Sequence, residues 1–412
     1  MVAADEPRAV TIGRDVLTAG GTAADAAVAM AFTMAVTLPT QVGLGSAGSC
    51  LAYNHDKSTV NAIDFVPPAN AGGTGSLLPI MPRAMFLLHA NNGSVPWNQL
   101  VQPVQALAQR GVPASRAFIR QFTPVAETVL ADPVARTVFA RPDGQPLAEG
   151  DLLQNPQLGT VLGRIGSRGV GELYNGTWAQ EFTDAAHQAG ATFSANALRD
   201  VTPQTHQPLA VAYGHEMAYF APPPAALGAL EQAAWAGLAG ADAYSAASKE
   251  NKARTVDDAL AAAPTPSADQ TAGASLVAVD GNGNAVTCAF TLNGVFGTGH
   301  MVPGFGTYLA ATTPDAGAGL GPMLTINPNS NEFRFAAAAS GGIAGAKMII
   351  RTALRVLEDE KPLPDAIAEG AKADGVDRIQ AARCLSGSPD TKRCVAVTDP
   401  RGFGLAQTMA GQ

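Results

Sequence analysis

The feature that most constrains the fold is the stretch SADQTAGASLVAVDGNGNAVTCAFTLNGVFGTGH, residues 267–300. It holds two runs in which apolar residues occupy alternate positions, joined by a glycine-asparagine turn. This pattern is typical of a β-hairpin. Thr271 and Ser275 are the hydroxyl residues near its start. The pattern alone leaves open whether Thr271, Ser275 or neither is a nucleophile.

Length and composition allow a large buried core. The chain has 412 residues, of which 47% are hydrophobic, so it is long enough for one large α/β domain or for two or three smaller ones. Its net charge is -8, and no cluster of lysine and arginine is present. A nucleic-acid interface needs a basic face, so we expect a small-molecule partner and no nucleic acid.

The longest apolar stretch, residues 26–38, is too short to cross a bilayer of about 30 Å. We interpret it as a buried core helix and expect no membrane span. No charged segment with a cleavage site precedes it. The location stays open: periplasmic or secreted if an N-terminal signal is missing from this chain, and otherwise cytoplasmic.

The cysteines and histidines do not predict a metal site. The four cysteines show no CxxC spacing and the histidines form no HExxH pair, so we expect no metal and no cofactor. Cys384 and Cys394 lie in a stretch that is typical of strand, turn and strand. They would close a hairpin disulfide in an exported protein, or remain two thiols in a cytosolic one.

Glycine-rich and capping patterns organise the first 60 residues. Thr22, followed by Asp25, predicts the start of the apolar helix. Gly43, Gly45 and Gly48 form a formal GxGxxG, but a helix precedes them and a strand follows. A dinucleotide site requires the opposite order. We therefore predict a loop in which glycine allows close backbone contact.

The rest of the chain predicts helices first and strands later, separated by breaks. Residues 114–200 are typical of helices, and residues 206–238 of two strands, a proline breaker and an alanine-rich helix. Residues 240–270 are the best candidate for a linker. Strands follow, among them GTYLAAT at 306–312, and a helix follows Gly341 and Gly342. These elements predict a layered α/β architecture.

Eight further stretches follow one another along the chain: PRAVTIGRDVLTAGGTAADAAVAMAFTMAV, GLGSAGSCLAYN, LVQPVQALAQRG, GVGELYNGTWAQEF, YFAPPPAALGALEQ, DGNGNAVTCAFTLNGVFGTG, AASGG and TDPRGFGLA. In this order they resemble the γ-glutamyltranspeptidase family of N-terminal nucleophile hydrolases. The resemblance implies a four-layer α-β-β-α sandwich that cuts its own backbone. It implies a large-subunit-like region 1–270 and a small-subunit-like region 271–412, together forming one structural domain.

The resemblance also implies an N-terminal threonine nucleophile, whose own α-amine acts as the base. Counting back from the matching turn at 280–286 places the family threonine near Gly273 or Ala274. Thr271 lies about two residues earlier and is the preferred nucleophile. Ser275 lies slightly later and remains the alternative.

The remaining site residues are implied by the resemblance in the same way. Asn293 matches the asparagine that contacts the amino-acid head of the substrate. Gly341 and Gly342 match the glycines whose backbone N–H groups form the oxyanion hole. Val66 stands where the family has the arginine that holds the substrate carboxylate, and valine cannot replace its bidentate contact.

Two further positions are shifted or changed. Asp315 is adjacent to the expected acidic residue for the substrate α-amine, and Leu324 and Thr325 replace the paired serines. The resemblance implies a hydrolase or acyltransferase for γ-glutamyl amides such as glutathione, whose two fragments stay associated after processing. The alternatives are an unprocessed, catalytically degenerate member that retains the fold for binding or structure, and an acylase for amides of larger side chains.

Overall fold

The computed structural model describes residues 1–68, 75–266, 272–313, 317, 319–371, 375, 377–385 and 394–408. The helices are α1 Pro7–Thr18, α2 Ala23–Thr37, α3 Met81–Asn92, α4 Trp97–Arg110, α5 Arg116–Phe122, α6 Ala126–Ala131, α7 Pro133–Phe139, α8 Pro156–Arg168, α9 Gly176–Gln188, α10 Ala195–Asp200, α11 Ala226–Trp235, α12 Ala243–Ala246, α13 Lys252–Ala262, α14 Gly342–Leu357 and α15 Leu363–Gly370.

The strands are β1 Val2–Ala4, β2 Ala47–Asn54, β3 Thr59–Asp64, β4 Val112–Pro113, β5 Leu152–Leu153, β6 Gln204–His206, β7 Leu209–Tyr213, β8 Glu216–Phe220, β9 Ala274–Val279, β10 Ala285–Thr291, β11 Met323–Asn327, β12 Glu332–Ser340, β13 Arg378–Cys384, β14 Cys394–Thr398 and β15 Leu405–Gln407. The predicted hairpin at 267–300 is present as the antiparallel pair β9 and β10.

Two antiparallel sheets form the centre of the molecule. The first has the order β15-β1-β9-β10-β2-β3-β6, and the second has the order β14-β13-β12-β11-β8-β7. One apolar core lies between the two sheets, where Leu51 and Val277 of the first meet Leu324 and Phe333 of the second. Two further cores join each sheet to its own helices. The fold is therefore the predicted four-layer α-β-β-α sandwich.

Helix α2 is the central helix of the first helical layer. The Thr22 side chain accepts from the backbone N–H of Asp25, whose carboxylate in turn accepts from the backbone N–H of Thr22, so the predicted capping box is present. Every residue of α2 is buried. The predicted core helix is confirmed. No helix among the described residues is long and apolar enough to cross a membrane.

Gly43 and Gly45 lie in a loop against neighbouring backbone, as predicted, whereas Gly48 lies within β2. A Cβ at Gly45 would lie 2.5 Å from the carbonyl oxygen of Tyr308, and a Cβ at Gly48 would overlap the ring of Phe65. Only glycine permits these approaches. The loop leads directly into β2, so it positions the start of that strand.

Two sequence predictions are wrong. Residues 240–262 are not a linker: they form α12 and α13, and Val256 and Leu260 of α13 are buried in the core beneath the second sheet. Residues 306–312 do not form a strand; isolated bridges at Thr307, Leu309 and Ala311 join them to other residues. Positive φ values at Gly304 and Gly306 interrupt extended backbone there.

Both cysteine pairs form cross-strand disulfides. Cys384 of β13 faces Cys394 of β14 and is bonded to it, as the exported form of the prediction requires. Cys50 of β2 is bonded to Cys288 of β10, a pair that the sequence analysis did not predict. The second bridge joins two parts of the chain that are 238 residues apart.

Candidate active site

Strand β9 begins at a cavity of about 410 Å³ that lies at one end of the central strands of the first sheet. We call it the β9 cavity. The side chains and backbone that line it and matter here belong to Asp5, Arg120, Ala272, Gly273, Ser340, Arg378 and Phe403. Thr271, the preferred nucleophile, lies outside the described residues, but it is peptide-bonded to Ala272 on the cavity wall. The first described residue of this segment therefore places the start of β9 beside the cavity.

A short hydrogen-bond chain connects the start of β9 with Asn293. Thr291 Oγ donates to the carbonyl oxygen of Ala272 at 2.9 Å, and accepts from the backbone N–H of Asn293 at 2.8 Å. Asn293 has a φ of 59° and donates through Nδ2 to the carbonyl oxygen of Ala311. Its Oδ1 is buried and has no hydrogen-bond partner among the described residues. The structure thus brings Asn293 close to the start of β9 and leaves it one unused acceptor.

Gly341 and Gly342 form the turn from β12 into α14. Their φ values are 98° and 58°, which L side chains rarely adopt. A Cβ at Gly341 would overlap the Cα atom of Asp377. Ser340, the residue before this pair, lines the β9 cavity. The turn therefore brings the N-terminus of a 16-residue helix, where backbone N–H groups and the helix dipole favour negative charge, next to the cavity.

Ser275 is engaged with Asp5 rather than directed at a substrate. Its backbone N–H and its hydroxyl both donate to Asp5 Oδ2, at 2.7 and 2.9 Å, and Gln380 donates to Oδ1 at 3.1 Å. Burial raises the pKa of Asp5 to about 6, although these hydrogen bonds oppose the rise. Ser275 lies inside β9, where its backbone nitrogen is in the peptide bond to Ala274 and is not a free α-amine.

Arg401 also lines the β9 cavity and is paired with two carboxylates. It donates to Asp377 Oδ2 at 2.9 Å and to Asp399 Oδ2 at 2.6 Å. Burial alone would lower the pKa of Arg401, but the two carboxylates raise it above its ordinary value. Arg401 lies in the matched stretch TDPRGFGLA, for which the resemblance implied no role. The signal in the sequence is an aspartate two residues before the arginine.

Val66 lines a second cavity, of about 500 Å³, in which Asp64 is the buried carboxylate. Asp64 is 5% exposed and accepts a long hydrogen bond, 3.3 Å, from the backbone N–H of Val66. Burial raises the pKa of Asp64 to about 7, opposed by the backbone N–H groups of Val66 and Phe65. The remaining lining is mostly apolar, with Leu78 and Ile80 as examples. This cavity contains no arginine among the described residues.

No other described arginine takes the place of the missing one at Val66. Arg83 lies over the ring of Tyr174 and donates to the carbonyl of Arg199. Arg334 pairs with Glu216 and donates to the carbonyl of Leu385. Neither lines one of the two cavities.

Thr325, the last predicted site residue that the structure describes, does not line the β9 cavity. Thr325 is buried within β11, between Ala218 and Phe335, and its hydroxyl has no partner there. Asp315 lies outside the described residues. Among the described residues, no group of three or more His, Cys, Asp and Glu side chains is arranged to hold a metal ion.

The model of the family described as gamma-glutamyltranspeptidase matches residues 9–76 and 68–263, which is more than half of the chain. The chain belongs to the γ-glutamyltranspeptidase family. The residues that match the family model all precede β9. The resemblance seen in the sequence is confirmed.

Curated relatives support the same family. Glutathione hydrolase 3 of Arabidopsis thaliana is 30% identical over 215 residues, which cover 48% of this chain and 34% of the relative. The glutathione hydrolase proenzyme of Bacillus subtilis (strain 168) is 30% identical over 246 residues, covering 54% of this chain and 42% of the relative. The match with this γ-glutamyltranspeptidase family member therefore spans less than half the length of each relative.

Solved structures share the fold. Cephalosporin acylase from Bacillus halodurans superposes with a TM-score of 0.74 at 18% identity, covering 100% of this chain and 96% of that one. The γ-glutamyltranspeptidase of Helicobacter pylori superposes with a TM-score of 0.54 at 22% identity, covering 62% and 79%. The four-layer sandwich of this family member is thus the N-terminal nucleophile hydrolase fold.

Proposed function

We propose that the protein is a glutathione hydrolase-like amidohydrolase and acyltransferase that cuts its own chain before Thr271 and then uses Thr271 as nucleophile. The observation that carries this proposal is the position of Ala272 and Gly273 on the wall of the β9 cavity, beside Ser340 and the glycine turn. Residue 271 is covalently attached at that point. Ser275, the other hydroxyl residue, is held inside β9 by Asp5.

The two regions 1–270 and 271–412 would be large and small fragments of one structural domain. Both central sheets support this division, since each combines strands from before and after residue 270: β1 lies beside β9 in the first, and β8 beside β11 in the second. Fragments interleaved in this way share their cores. They would remain associated after the cut.

The reaction that we propose begins with the free α-amine of Thr271. The amine takes the hydroxyl proton as Oγ attacks the carbonyl carbon of the substrate amide. The backbone N–H groups of the Gly341–Gly342 turn stabilise the developing oxyanion, and the proton passes to the departing amine. Water then hydrolyses the acyl ester, or the amine of an amino acid accepts the acyl group.

The acyl group would lie towards Asn293, whose buried Oδ1 has an unused acceptor position. A γ-glutamyl group would be recognised weakly, because Val66 offers no charge to its α-carboxylate. An acylase for related amides with a less polar acyl group uses the same nucleophile and the same cut. The identity of the acyl group is therefore a separate question from the cut itself.

The test is mass spectrometry and gel electrophoresis of the purified protein after reduction, since the Cys50–Cys288 bridge would otherwise keep the two fragments together. We expect fragments 1–270 and 271–412 from the wild type and from Ser275→Ala. Thr271→Ala should give one uncut, inactive chain. A wild-type chain that stays intact after prolonged incubation would replace this proposal with the unprocessed, degenerate alternative. Cutting that depends on Ser275 would move the nucleophile.

A further inference from the structure

A cavity of about 700 Å³ lies among the helices that pack on the second sheet. Its lining comes from α12, α13, the C-terminal half of α14 and the end of α15. We call it the α13–α14 cavity. We propose that it binds a small organic phosphate, and that Lys249 and Arg351 recognise the phosphate group.

The α13–α14 cavity is separate from the candidate active site. Arg351 and Leu354 line it from the C-terminal half of α14, whereas Gly341 and Gly342 lie at the N-terminus of that helix. Among the described residues, it shares no lining residue with the β9 cavity or with the cavity beside Val66. A ligand bound here would therefore leave the proposed amide site open.

Positive side chains outnumber carboxylates on the described wall of this cavity. Five of the 26 lysines and arginines of the chain line it, together with three carboxylates. The cations are Lys249, Lys252, Arg351, Arg355 and Lys361, and the carboxylates are those of Asp257, Asp359 and Glu369. Five positive and three negative charges leave a net charge of +2, in a chain whose net charge is -8. This local excess favours an anionic ligand.

The ion pairs inside the cavity do not neutralise this excess. Glu369 Oε2 is shared by two cations, Lys361 at 2.5 Å and Arg355 at 3.4 Å. Lys249 lies on the exposed segment between α12 and α13, and it forms no ion pair or hydrogen bond with a described residue. Its ammonium group is therefore available to a ligand.

Arg351 can also turn to a ligand at little cost. Its Nη2 pairs with Asp257 Oδ1 at 2.6 Å, but the side chain of Asp257 is 63% exposed. Water and salt screen such a pair, so it contributes little to stability. A guanidinium group binds phosphate oxygens with two parallel, charge-assisted hydrogen bonds. A phosphate in the cavity would offer Arg351 a better partner than Asp257 does.

The size of the cavity and its apolar residues favour an organic phosphate over a bare ion. Sites for small molecules usually measure about 300 to 1,000 Å³ and are partly apolar. Val256 and Leu354 supply buried apolar side chains, and Tyr244 lies with them in the lining. Asp359 accepts from the hydroxyl of Tyr244 at 2.6 Å, and the ammonium group of Lys252 lies 4.3 Å from the centre of its ring. A phosphate monoester has a charge of about -2 above its second pKa of about 6, which matches the net charge of the wall.

Two pairs of residues provide matched controls. Asp257 lines the cavity and Asp258, its neighbour on α13, does not. Lys249 lines the cavity and Arg254 does not, although both are exposed and neither pairs with a described residue. Within each pair, a neutral replacement changes the net charge of the protein equally. Only the first member of each pair changes the cavity.

The experiment measures binding of phenyl phosphate and of benzenesulfonate by titration calorimetry at pH 8 and low salt. We expect the wild type to bind phenyl phosphate on the order of 10-fold more tightly, because only phenyl phosphate has a second negative charge. Lys249→Gln and Arg351→Gln should weaken its binding by about 5-fold or more, and Asp257→Asn should strengthen it by about as much. Arg254→Gln and Asp258→Asn should change it by less than about 2-fold, since exposed charges outside the cavity are screened.

Melting temperatures verify that each variant is folded. No binding of phenyl phosphate to the wild type, equal binding of the two anions, or an equal response to the cavity variants and their controls would overturn the proposal. None of these measurements requires self-cutting or turnover. Their outcome is therefore independent of the proposed function.

Discussion

The hydroxyl of Ser275 donates to Asp5 Oδ2 over 2.9 Å, joining the start of β9 to the end of β1. The backbone N–H of Ser275 donates to the same oxygen at 2.7 Å. The side chain therefore has a structural partner on the adjacent strand. Its role is to secure the strand that leads away from Thr271.

Ser275→Ala should lower the free energy of unfolding by about 1 to 3 kcal/mol, because a largely buried carboxyl loses one of its donors. Urea unfolding at neutral pH measures the difference. Self-cutting, followed on reduced gels, should continue. Loss of cutting in a variant with unchanged stability would show that Ser275 acts in the chemistry instead.

Asp64 should make stability depend on pH. Its pKa rises from 3.8 to about 7 on folding, so the folded state binds a proton between these values while the unfolded state does not. The contribution of the protonated Asp64 carboxyl to the free energy of unfolding is complete below about pH 4 and is lost as the pH rises through 7. Between pH 4 and 7 the free energy of unfolding of Asp64→Asn should therefore rise relative to that of the wild type, by about 4 kcal/mol in total. Thermal unfolding across this range provides the curve, and a constant difference between the two proteins would contradict it.

Val66→Arg should improve turnover of a γ-glutamyl anilide, which we expect to be weak in the wild type. The new guanidinium would enter the cavity that holds Asp64 and offer a charge to the substrate carboxylate. It should also lower the pKa of Asp64 and weaken the pH dependence described above. Val66→Met is the control for side-chain length. A wild-type KM in the low micromolar range would show that the substrate carboxylate is held in another way.

The two disulfides should differ in their effect on stability. Opening a loop of 238 residues costs more than opening one of 10, about 5 against about 3 kcal/mol in the chain-entropy model. Two double variants are compared in the uncut Thr271→Ala background. The variant with Cys50→Ala and Cys288→Ala should have a lower free energy of unfolding than the variant with Cys384→Ala and Cys394→Ala. Alkylation without reduction, followed by mass spectrometry, should label none of the four in protein from an oxidising compartment. Labelling at both members of a pair would rule that bridge out.

Local patterns predicted local structure well. The cap formed by Thr22 and Asp25 and the hairpin of β9 and β10 depend on neighbours in sequence, and both are confirmed. Residues 240–262 were mistaken for a linker because only a few large side chains, such as Val256 and Leu260, anchor α12 and α13. Alanine-rich helices of this kind have a weak apolar stripe.

The site was only partly predictable for a different reason. Gly341 and Gly342 were assigned through the resemblance, and their positive φ values explain why glycine stands at both positions, while their part in an oxyanion hole stays a prediction. The β9 cavity combines Asp5, Arg120 and Phe403 from segments hundreds of residues apart in the chain. No spacing in the sequence relates them, since they meet only where helix α5 and the segments beside β1 and β15 line one cavity. The Cys50–Cys288 disulfide was not predicted for the same reason, since its cysteines are 238 residues apart.

The Cys50–Cys288 bridge has one end on each side of residue 270. A protein cut there would remain a single covalent molecule with two chain ends in its middle. Its halves could not exchange with those of other molecules or be lost on dilution, so its unfolding would be independent of concentration even after the cut. A reducing environment would change this, and the cut protein would become a dimer of fragments whose survival depends on how much of it is present.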